Sequence, residues 1–386
     1  MRPFAHKSFQ AFIVLLFLVG GVALVRDTVA QGQDFRVFWQ SGQHLLHREP
    51  IYDVLRDGAM VFKYPPWIVP FFVPFSVLPL VAAKWAWALT ELASLISVMH
   101  WLRKRGCSDL VIALTSVLFW GIFAVHFLDG QITLVMLAVA LWGWEKARPS
   151  PVVFALSTKV FSGVSLLGWR RISAWQMGRV CVFLFVFTLP ALWCAKSLHP
   201  LEFAKSWKTA AASGGQLFEH EKTRGRDNQG LPAVILRGLE VPSRDSRADG
   251  IAALICTLII GGYWFFRSRQ IRDFGAIEKW LGWLALGCVI HPLAWFHCFV
   301  LAYPLAALTL DQAVKSKDRI LIFSALLSIC MITVLTSKTL GDTGARLEFY
   351  SIKSFGVLFL MDMVLILERR RSTAIPVRNL KLIHSL

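Results

Sequence analysis

The sequence predicts an all-α polytopic membrane protein, and three observations lead to this fold class. Of the 386 residues, 56% are hydrophobic and only 17% are charged, more apolar residue than a soluble domain of this length can keep from water. Apolar runs of about 15–20 residues recur along the chain, each long enough for a helix to cross the hydrocarbon core. Basic residues are clustered in the short segments between these runs.

The excess of basic residues indicates membrane orientation rather than nucleic-acid binding. Lys and Arg number 41 against 24 Asp and Glu, for a net charge of +17, yet no DNA- or RNA-binding motif accompanies them. Short basic segments between apolar runs are typical of cytoplasmic loops. We therefore expect membrane lipids, and no nucleic acid, among the partners. The clusters are Arg103-Lys104-Arg105, Lys146 with Arg148, Arg170-Arg171, Arg267 to Arg272, Lys315 to Arg319, and Glu368-Arg369-Arg370-Arg371.

Alternation of the apolar runs gives the predicted topology. Residues 10–26 resemble a signal sequence without a small-x-small cleavage site, which favours a retained anchor that starts on the cytoplasmic side. Further spans are predicted at about 84–102, 109–127, 131–144, 177–195, 250–267, 277–290, 296–311, 319–337 and 350–367. This gives roughly ten full crossings, and it places all six basic clusters, both termini and the tail 372–386 in the cytoplasm.

Two apolar segments are predicted to be broken or re-entrant helices, which brings the total to about ten to twelve transmembrane or re-entrant helices. Residues 64–80 carry five prolines, each of which removes a backbone donor. Residues 150–168 have basic clusters at both ends, so this segment is interpreted as entering and leaving on one side.

The remaining polar sequence is predicted to form two large outer loops, 27–63 and 196–249, within a single domain, 1–386. The first loop holds an amphipathic helix in "GQDFRVFWQSGQHLL", residues 32–46. The seven cysteines lie in or beside apolar runs without a Cys-x-x-Cys pair, so neither a disulfide framework nor a metal site is expected.

Polar residues from four distant segments fall on the predicted outer face, which favours a site at the outer membrane interface. They are Asp34 with Arg36, the turn Asp129-Gly130-Gln131, Asn228-Gln229 with Arg237, and the pair His291 and His297. The sequence has no Walker loop, no Gly-x-Gly-x-x-Gly and no Asp-x-Asp pair for a nucleotide diphosphate. A lipid-borne substrate would therefore suit this site better than a soluble nucleotide-activated one.

The segments "GQDFRVFWQSGQHLLHREPIYDV" and "FKYPPWIVPFFVPFSVLP" resemble the start of glycosyltransferase family 87. That family contains bacterial polyprenol-phosphate-mannose-dependent mannosyltransferases with the GT-C membrane fold. The resemblance extends over about residues 30–305 and departs from the family pattern at Lys159, which no proline follows closely, and at Cys298, where the family often has a second His. The matching motifs are Asp34, Pro50-Ile51-Tyr52, Tyr64-Pro65-Pro66, Gly130-Gln131, Asn228-Gln229 with Arg237, and His291-Pro292 with Trp295-Phe296-His297.

The resemblance implies transfer of a hexose, mannose in the family, from a polyprenyl-phosphate donor to a lipid or glycan acceptor. The reaction would occur with inversion on the outer face of the bacterial cytoplasmic membrane, without a cofactor or metal. By the same resemblance, Asp34 is the expected catalytic base, which takes the proton of the attacking sugar hydroxyl. The alternative is that Asp34 caps the amphipathic helix.

The expected substrate-binding residues are His291, His297, Arg237, Arg36, Lys159, Asn228 and Gln131. The cations among them would stabilise the leaving phosphate. Their alternatives are structural: Arg36 would pair with Asp34, Arg237 and Lys159 would snorkel to the membrane surface, and the histidines would bond to backbone or end a helix. Asn228 and Gln131 would hold loops together.

Two further function classes stay open from sequence alone. A transporter or flippase of lipid-linked sugars would usually show an internal repeat and ionisable residues deep in several spans. This sequence shows no repeat of fixed period and few charged residues in the middle of its spans. A non-catalytic scaffold for envelope assembly would tolerate the change Asp34→Asn.

Overall fold

The computed structural model describes residues 18–169, 173–195, 199–217, 224–242, 246–271 and 274–374. These residues form helices and connecting turns and contain no strand, so the all-α prediction is confirmed for the described chain. The α-helices are 18–30, Gln33–Leu46, Val54–Asp57, Val69–Ser76, Leu80–Lys104, Asp109–Leu118, Trp120–Asp129, Thr133–Glu145, Pro149–Ser157, Ala174–Trp193, Pro200–Leu217, Leu231–Gly238, Ser246–Cys256, Gly262–Arg269, Ala276–Ile290, Tyr303–Ser316, Arg319–Thr333, Ser337–Phe349 and Ile352–Ala374. Short 3₁₀-helices lie at Gly58–Met60, Pro66–Ile68, Val160–Gly168 and Phe296–Ala302, and a π-helix lies at Thr257–Gly261.

Four described helices are long and apolar enough to cross a membrane. They coincide with predicted spans at 84–102, 177–195, 250–267 and 296–311, and so confirm a multi-pass membrane protein. These helices are Leu80–Lys104, Ala174–Trp193, Arg247–Arg269 and Phe296–Ser316.

Two further predicted spans are sharply bent. Asp109–Leu118 and Trp120–Asp129 meet at 61°, and Arg319–Thr333 and Ser337–Phe349 meet at 91°. If each pair is one span, up to six spans are present, and the larger number drawn from the sequence stays a prediction. The predicted spans 131–144 and 277–290 form helices of 13 and 15 residues, Thr133–Glu145 and Ala276–Ile290, which are shorter than the roughly 20 residues of a full crossing. Of the predicted first span, 10–26, residues 10–17 lie outside the described residues, and residues 18–26 belong to helix 18–30.

The two segments predicted to be broken consist of short pieces. The proline-rich segment forms Pro66–Ile68 and Val69–Ser76, and the later one forms Pro149–Ser157 and Val160–Gly168. None of these approaches the roughly 20 helical residues that a crossing requires.

The chain divides into two compact units. The first comprises Met1–Trp101, Trp120–Thr158 and Ala174–Leu217, and the second comprises Leu102–Phe119, Lys159–Ser173 and Phe218–Leu386.

In the first unit, the amphipathic helix Gln33–Leu46 lies at the core. Phe35 and Phe38 are fully buried on its apolar face. Phe35 stacks on Trp87 at 5.2 Å between ring centroids, and Phe38 stacks on Phe72 at 4.6 Å. Each buried ring contributes about 1.5–3 kcal/mol of hydrophobic stabilisation. This burial fixes the helix that carries Asp34, so the carboxylate stands on an anchored element rather than in a loose loop.

In the second unit, helix Ala276–Ile290 is the central element, and most of its side chains are buried. It packs against Val160–Gly168, Phe296–Ala302 and Ile352–Ala374. The segments that flank this helix carry the sequence-predicted residues Lys159, His291 and His297.

Candidate functional site

In the first unit, the Asp34 carboxylate accepts a hydrogen bond from the side-chain amide of Gln131. Asp34 is the second residue of helix Gln33–Leu46 and is half-buried. The N-cap position belongs to Gly32, whose backbone N–H donates to the Leu128 carbonyl at 2.9 Å. Because Asp34 is not the N-cap residue, simple capping does not account for its position.

A glycine turn brings Gln131 to Asp34. Gly130 has φ +68°, and a Cβ atom there would lie 2.8 Å from the Cβ of Phe35. Its carbonyl accepts a hydrogen bond from Trp87 Nε1 at 3.1 Å. Only glycine adopts this conformation without strain at so close an approach. The next residue, Gln131, has only 2% of its surface exposed. The Gly-Gln pair therefore serves to present an amide to the carboxylate.

Two residues of the first loop complete the surroundings of Asp34. The Tyr64 hydroxyl donates to Gln131 Oε1 at 3.4 Å, which leaves the Gln131 amide nitrogen directed at Asp34. Lys63 is half-buried; burial lowers its pKa, and the nearby negative charge of Asp34 opposes that shift. Lys63 was not among the residues predicted from the sequence, although it directly precedes the Tyr-Pro-Pro motif.

Contacts from other motifs hold this loop in place. The Tyr52 hydroxyl donates to the Tyr64 carbonyl at 2.8 Å, and Trp207 Nε1 donates to the Lys63 carbonyl at 3.2 Å. The Pro-x-Tyr and Tyr-Pro-Pro motifs are thus joined by a hydrogen bond from the Tyr52 side chain to the Tyr64 backbone. Tyr64 and Gln131 thus meet beside Asp34, and Tyr52 holds Tyr64 in place.

A fully buried polar group, formed by Glu91, His126 and Thr28, supports the Gly-Gln turn. Glu91 and His126 have no exposed side-chain surface, and Glu91 Oε1 lies 3.1 Å from His126 Nδ1. Thr28 Oγ1 lies within hydrogen-bond distance of Glu91 Oε2, at 3.2 Å, and of the Phe127 carbonyl, at 2.7 Å. Because His126 Nε2 accepts the Leu134 N–H at 3.1 Å, the imidazole hydrogen is on Nδ1, which faces Glu91.

The His126 carbonyl accepts the Gln131 N–H at 3.1 Å, so this group is hydrogen-bonded directly to the turn that holds Asp34. Sequence reasoning missed the role of Glu91 and His126. The signal was present, because ionisable residues in apolar helices are costly unless they find partners.

Arg36 is exposed and forms no ion pair among the described residues. It does not pair with Asp34, and it stands on the polar face of the helix.

In the second unit, Asn228 holds the loop that follows helix Ala276–Ile290. Its amide nitrogen donates to the Pro292 carbonyl at 2.6 Å, and its amide oxygen accepts the N–H groups of Ala294 and Gly230 at 3.0 and 3.2 Å. A Cβ atom at Gly230 would lie 2.1 Å from the His291 carbonyl, so the two backbones touch directly. The Asn-Gln motif therefore fixes the position of the His291 loop.

Arg237 binds backbone on two sides. One terminal nitrogen donates to the Gly225 and Asn228 carbonyls at 2.8 and 3.0 Å, and the other donates to the Ser351 hydroxyl at 3.0 Å. Burial, with a smaller contribution from the positive charge of Arg224, lowers the pKa of Arg237 to about 10. These contacts describe a cation that joins the 225–228 loop to the start of the last helix.

Lys159, His291, His297 and Cys298 lie together in the second unit. Lys159 Nζ is 3.8 Å from Cys298 Sγ, and Cys298 directly follows the buried His297. The His291 ring contacts the Phe161 ring at 4.8 Å between centroids, with the two planes tilted by 56°. The sequence treated Cys298 only as a departure from the family pattern, whereas here it belongs to the cluster.

The His291 ring is neutral and has a defined tautomer. Its Nδ1 accepts the Leu293 N–H at 2.9 Å, so the hydrogen is on Nε2. Burial, and then the positive charges of Lys159 and His297, lowers the pKa of His291 to about 3. At neutral pH, His291 offers a hydrogen-bond donor to a substrate rather than a positive charge.

This pKa predicts a pH dependence of stability. The folded-state pKa of about 3 lies below the ordinary value of 6.5, so the His291 contribution is complete above pH 6.5 and is lost as pH falls toward 3. Between pH 7 and 4.5 we expect a loss of about 2 kcal/mol. Thermal unfolding at several pH values checks this: His291→Gln should flatten the acid slope, and His100→Gln, at an exposed histidine, should not. Equal slopes in all three proteins would contradict it.

No group of three or more His, Cys, Asp or Glu side chains placed to hold a metal ion occurs among the described residues.

Comparison with known proteins identifies one family. The sequence pattern of glycosyltransferase family 87 matches residues 62–292, which is more than half of the chain. The matched part includes Tyr64, Gln131 and Asn228, begins after Asp34 and ends before His297. Neither a curated protein nor a solved structure matches the chain. The chain belongs to glycosyltransferase family 87 and is a membrane glycosyltransferase.

Proposed function

We propose that this glycosyltransferase moves a hexose, mannose by family resemblance, from a polyprenyl-phosphate donor to a lipid or glycan acceptor. The reaction takes place on the outer face of the bacterial cytoplasmic membrane, with inversion at the anomeric carbon. The observation that carries the proposal is the anchored Asp34 carboxylate, held by Gln131 at the edge of the first-loop helix. The clustering of basic segments between apolar runs supports the outward orientation.

Asp34 is proposed as the catalytic base. The acceptor hydroxyl attacks the sugar C1, its proton passes to the Asp34 carboxylate, and the C1–O bond to the lipid phosphate breaks. Gln131 and Tyr64 fix the direction of the carboxylate, and the Lys63 charge favours its ionised form before the reaction. One base is sufficient, because a phosphate is a good leaving group.

Lys159 and the two histidines of the second unit are proposed, from the family resemblance, to bind phosphate. Lys159 supplies a positive charge, and neutral His291 supplies an Nε2–H donor. We assign Asn228 and Arg237 to holding the loops in place, because their side chains are engaged with backbone atoms. Arg36, exposed on the first-loop helix, is proposed to contact substrate or lipid headgroups from the aqueous side.

An open cleft in the first unit supports an acceptor that carries a sugar. The cleft holds about 260 Å³ and is lined by Tyr52, Asp53, Phe203, Glu202 and Ser206, among others. The Tyr52 and Phe203 rings meet edge to face at 5.6 Å. Aromatic rings together with carboxylate and hydroxyl groups suit the binding of a sugar ring. The cleft volume is smaller than the roughly 300 Å³ of the smallest drug-binding pockets, which agrees with a ligand of small size. Tyr52 also connects the cleft to Tyr64 beside Asp34.

The change Glu202→Gln should raise the KM for the acceptor about tenfold, because a neutral amide replaces a charge-assisted acceptor of sugar hydroxyl groups. The KM for the donor should stay the same. Initial-rate kinetics with each substrate varied will measure both constants. Glu145→Gln, at an exposed carboxylate of the same unit outside the cleft, serves as the matched control. An unchanged acceptor KM in Glu202→Gln would remove the cleft from the proposal.

The donor class is tested with the purified protein in nanodiscs and a lipid extract from its own source as acceptor. Radiolabelled polyprenyl-phosphate mannose, polyprenyl-phosphate glucose and GDP-mannose are supplied separately. We expect label in the lipid or glycan fraction from a polyprenyl-phosphate donor. Transfer from GDP-mannose without any polyprenyl phosphate would contradict the proposal.

A further inference from the structure

A second cleft, of about 250 Å³, lies in the second unit between helix Gly262–Arg269 and helix Ile352–Ala374. Its polar lining consists of Tyr263 and Arg267 from the first helix and Asp362 and Arg369 from the second. The Tyr263 hydroxyl donates to Asp362 at 2.8 Å, and this bond joins the two helices across the cleft. None of these residues belongs to the catalytic proposal.

The two arginines of the cleft lack carboxylate partners. Within the described chain, Arg369 forms no hydrogen bond or ion pair through its side chain, and Arg267 contacts only the Gln270 amide and the Tyr263 ring. The next two residues of the same helix behave differently. Arg370 pairs with Asp318 at 2.6 Å, and Arg371 pairs with Glu368 at 3.7 Å.

Asp362 does not neutralise the pair. Its carboxylate is occupied by Tyr263, and one negative charge against two guanidinium groups leaves the cleft positive. Arginines at helix ends can complement the helix dipole, but this role does not require that both face the same cleft. A positive cleft with two planar guanidinium groups fits an anion that accepts several hydrogen bonds, and phosphate is the typical case.

The remaining lining is apolar and identifies the kind of phosphate. Leu365 and Ile366 line the cleft, and the Ile366 side chain is 42% exposed. Arg267 and Arg369 both belong to basic clusters that the positive-inside rule predicts to be cytoplasmic. A free phosphate gains nothing from an exposed isoleucine, whereas a phospholipid places its acyl chain on the apolar flank of the helix.

We propose that this cleft binds an anionic phospholipid of the inner leaflet. Arg267 and Arg369 hold the headgroup phosphate, and the acyl chain lies along Ile366. Basic pockets between membrane helices on the cytoplasmic side are known to take such headgroups. The site is separate from sugar transfer and does not depend on the transferase proposal.

The test uses the full-length protein, delipidated in neutral detergent and reconstituted in phosphatidylcholine nanodiscs with increasing phosphatidylglycerol. Phosphatidylglycerol retained per protein after re-extraction is counted by native mass spectrometry. We expect saturable binding in wild type and at least tenfold weaker binding in Arg267→Gln/Arg369→Gln. The control Arg103→Gln/Arg319→Gln removes the same charge from other basic clusters and should bind as wild type does.

Further arms separate the possible sources of the signal. Inorganic phosphate and glycerol 3-phosphate should compete only weakly, and Ile366→Ser should weaken phosphatidylglycerol binding without changing thermal unfolding in pure phosphatidylcholine. Equal loss in both double variants would show general attraction of anionic lipid to a basic surface and would overturn the site. Equal affinity for inorganic phosphate and phosphatidylglycerol would also overturn the lipid assignment.

Discussion

Asp34→Asn should reduce sugar transfer by about 10²–10⁴-fold, the usual contribution of a general base. An asparagine keeps the size of the side chain and an oxygen that accepts the hydrogen bond of Gln131, so the helix and the turn stay in place. What it loses is the ability to take the proton of the acceptor hydroxyl. Transfer of label from radiolabelled polyprenyl-phosphate mannose, measured in nanodiscs, gives the comparison.

The matched control is Glu145→Gln, at an exposed carboxylate of the same unit that has no part in the proposed reaction, and it should retain most of the rate. The transfer rate of Gln131→Ala should lie between those of the other two variants, because the base is still present but its carboxylate is no longer held in one orientation. Unfolding midpoints within a few degrees of wild type would show that each variant is folded. Equal transfer by Asp34→Asn and wild type would eliminate Asp34 as the base and would leave it a structural role at the start of the helix.

The second large effect is expected on stability. His126→Leu should lower the free energy of unfolding by about 3–5 kcal/mol, because it leaves Glu91 buried without its imidazole partner. The Leu134 N–H would also lose its acceptor. The change should reduce transfer as well, since the turn that carries Gln131 rests on this group. Chemical denaturation in mixed micelles measures the stability.

The double variant Glu91→Leu/His126→Leu separates pair breaking from loss of packing. Apolar replacement of both partners removes the unsatisfied carboxylate, so the double variant should recover much of the stability lost in the single one. His100→Leu, at an exposed histidine of the same unit, should cost little. A double variant no more stable than His126→Leu would contradict this explanation and would assign the loss to packing rather than to an unpaired carboxylate.

The fold class was accessible from sequence because it depends on composition and on periodicity along the chain. Four predicted spans coincide with long apolar helices, since a run of apolar residues forms a helix in lipid whatever its neighbours are. The number of crossings was not accessible in the same way. Whether 109–127 stays straight or bends by 61° depends on the packing of both halves, and the apolar residues are the same in either case.

The candidate site likewise combines residues that the sequence indicates with contacts that only the tertiary structure shows. From the sequence, Asp34 and the turn Asp129-Gly130-Gln131 were singled out as polar residues on the predicted outer face, and Tyr64-Pro65-Pro66 by its resemblance to the family pattern. Their meeting depends on close approaches such as that of Gly130 to Phe35, which no local pattern records.

Other residues acquired meaning only from the tertiary structure. Lys63, Glu91 and His126 carry no motif. Lys63 lies near Asp34, 29 positions away, and Glu91 contacts Thr28, 63 positions away, as well as His126. The sequence by itself determined which side chains were available for chemistry and that the chain enters a membrane. Only the tertiary structure decided which charges are paired, which are buried and which remain open, because burial and pairing are properties of packing between distant segments.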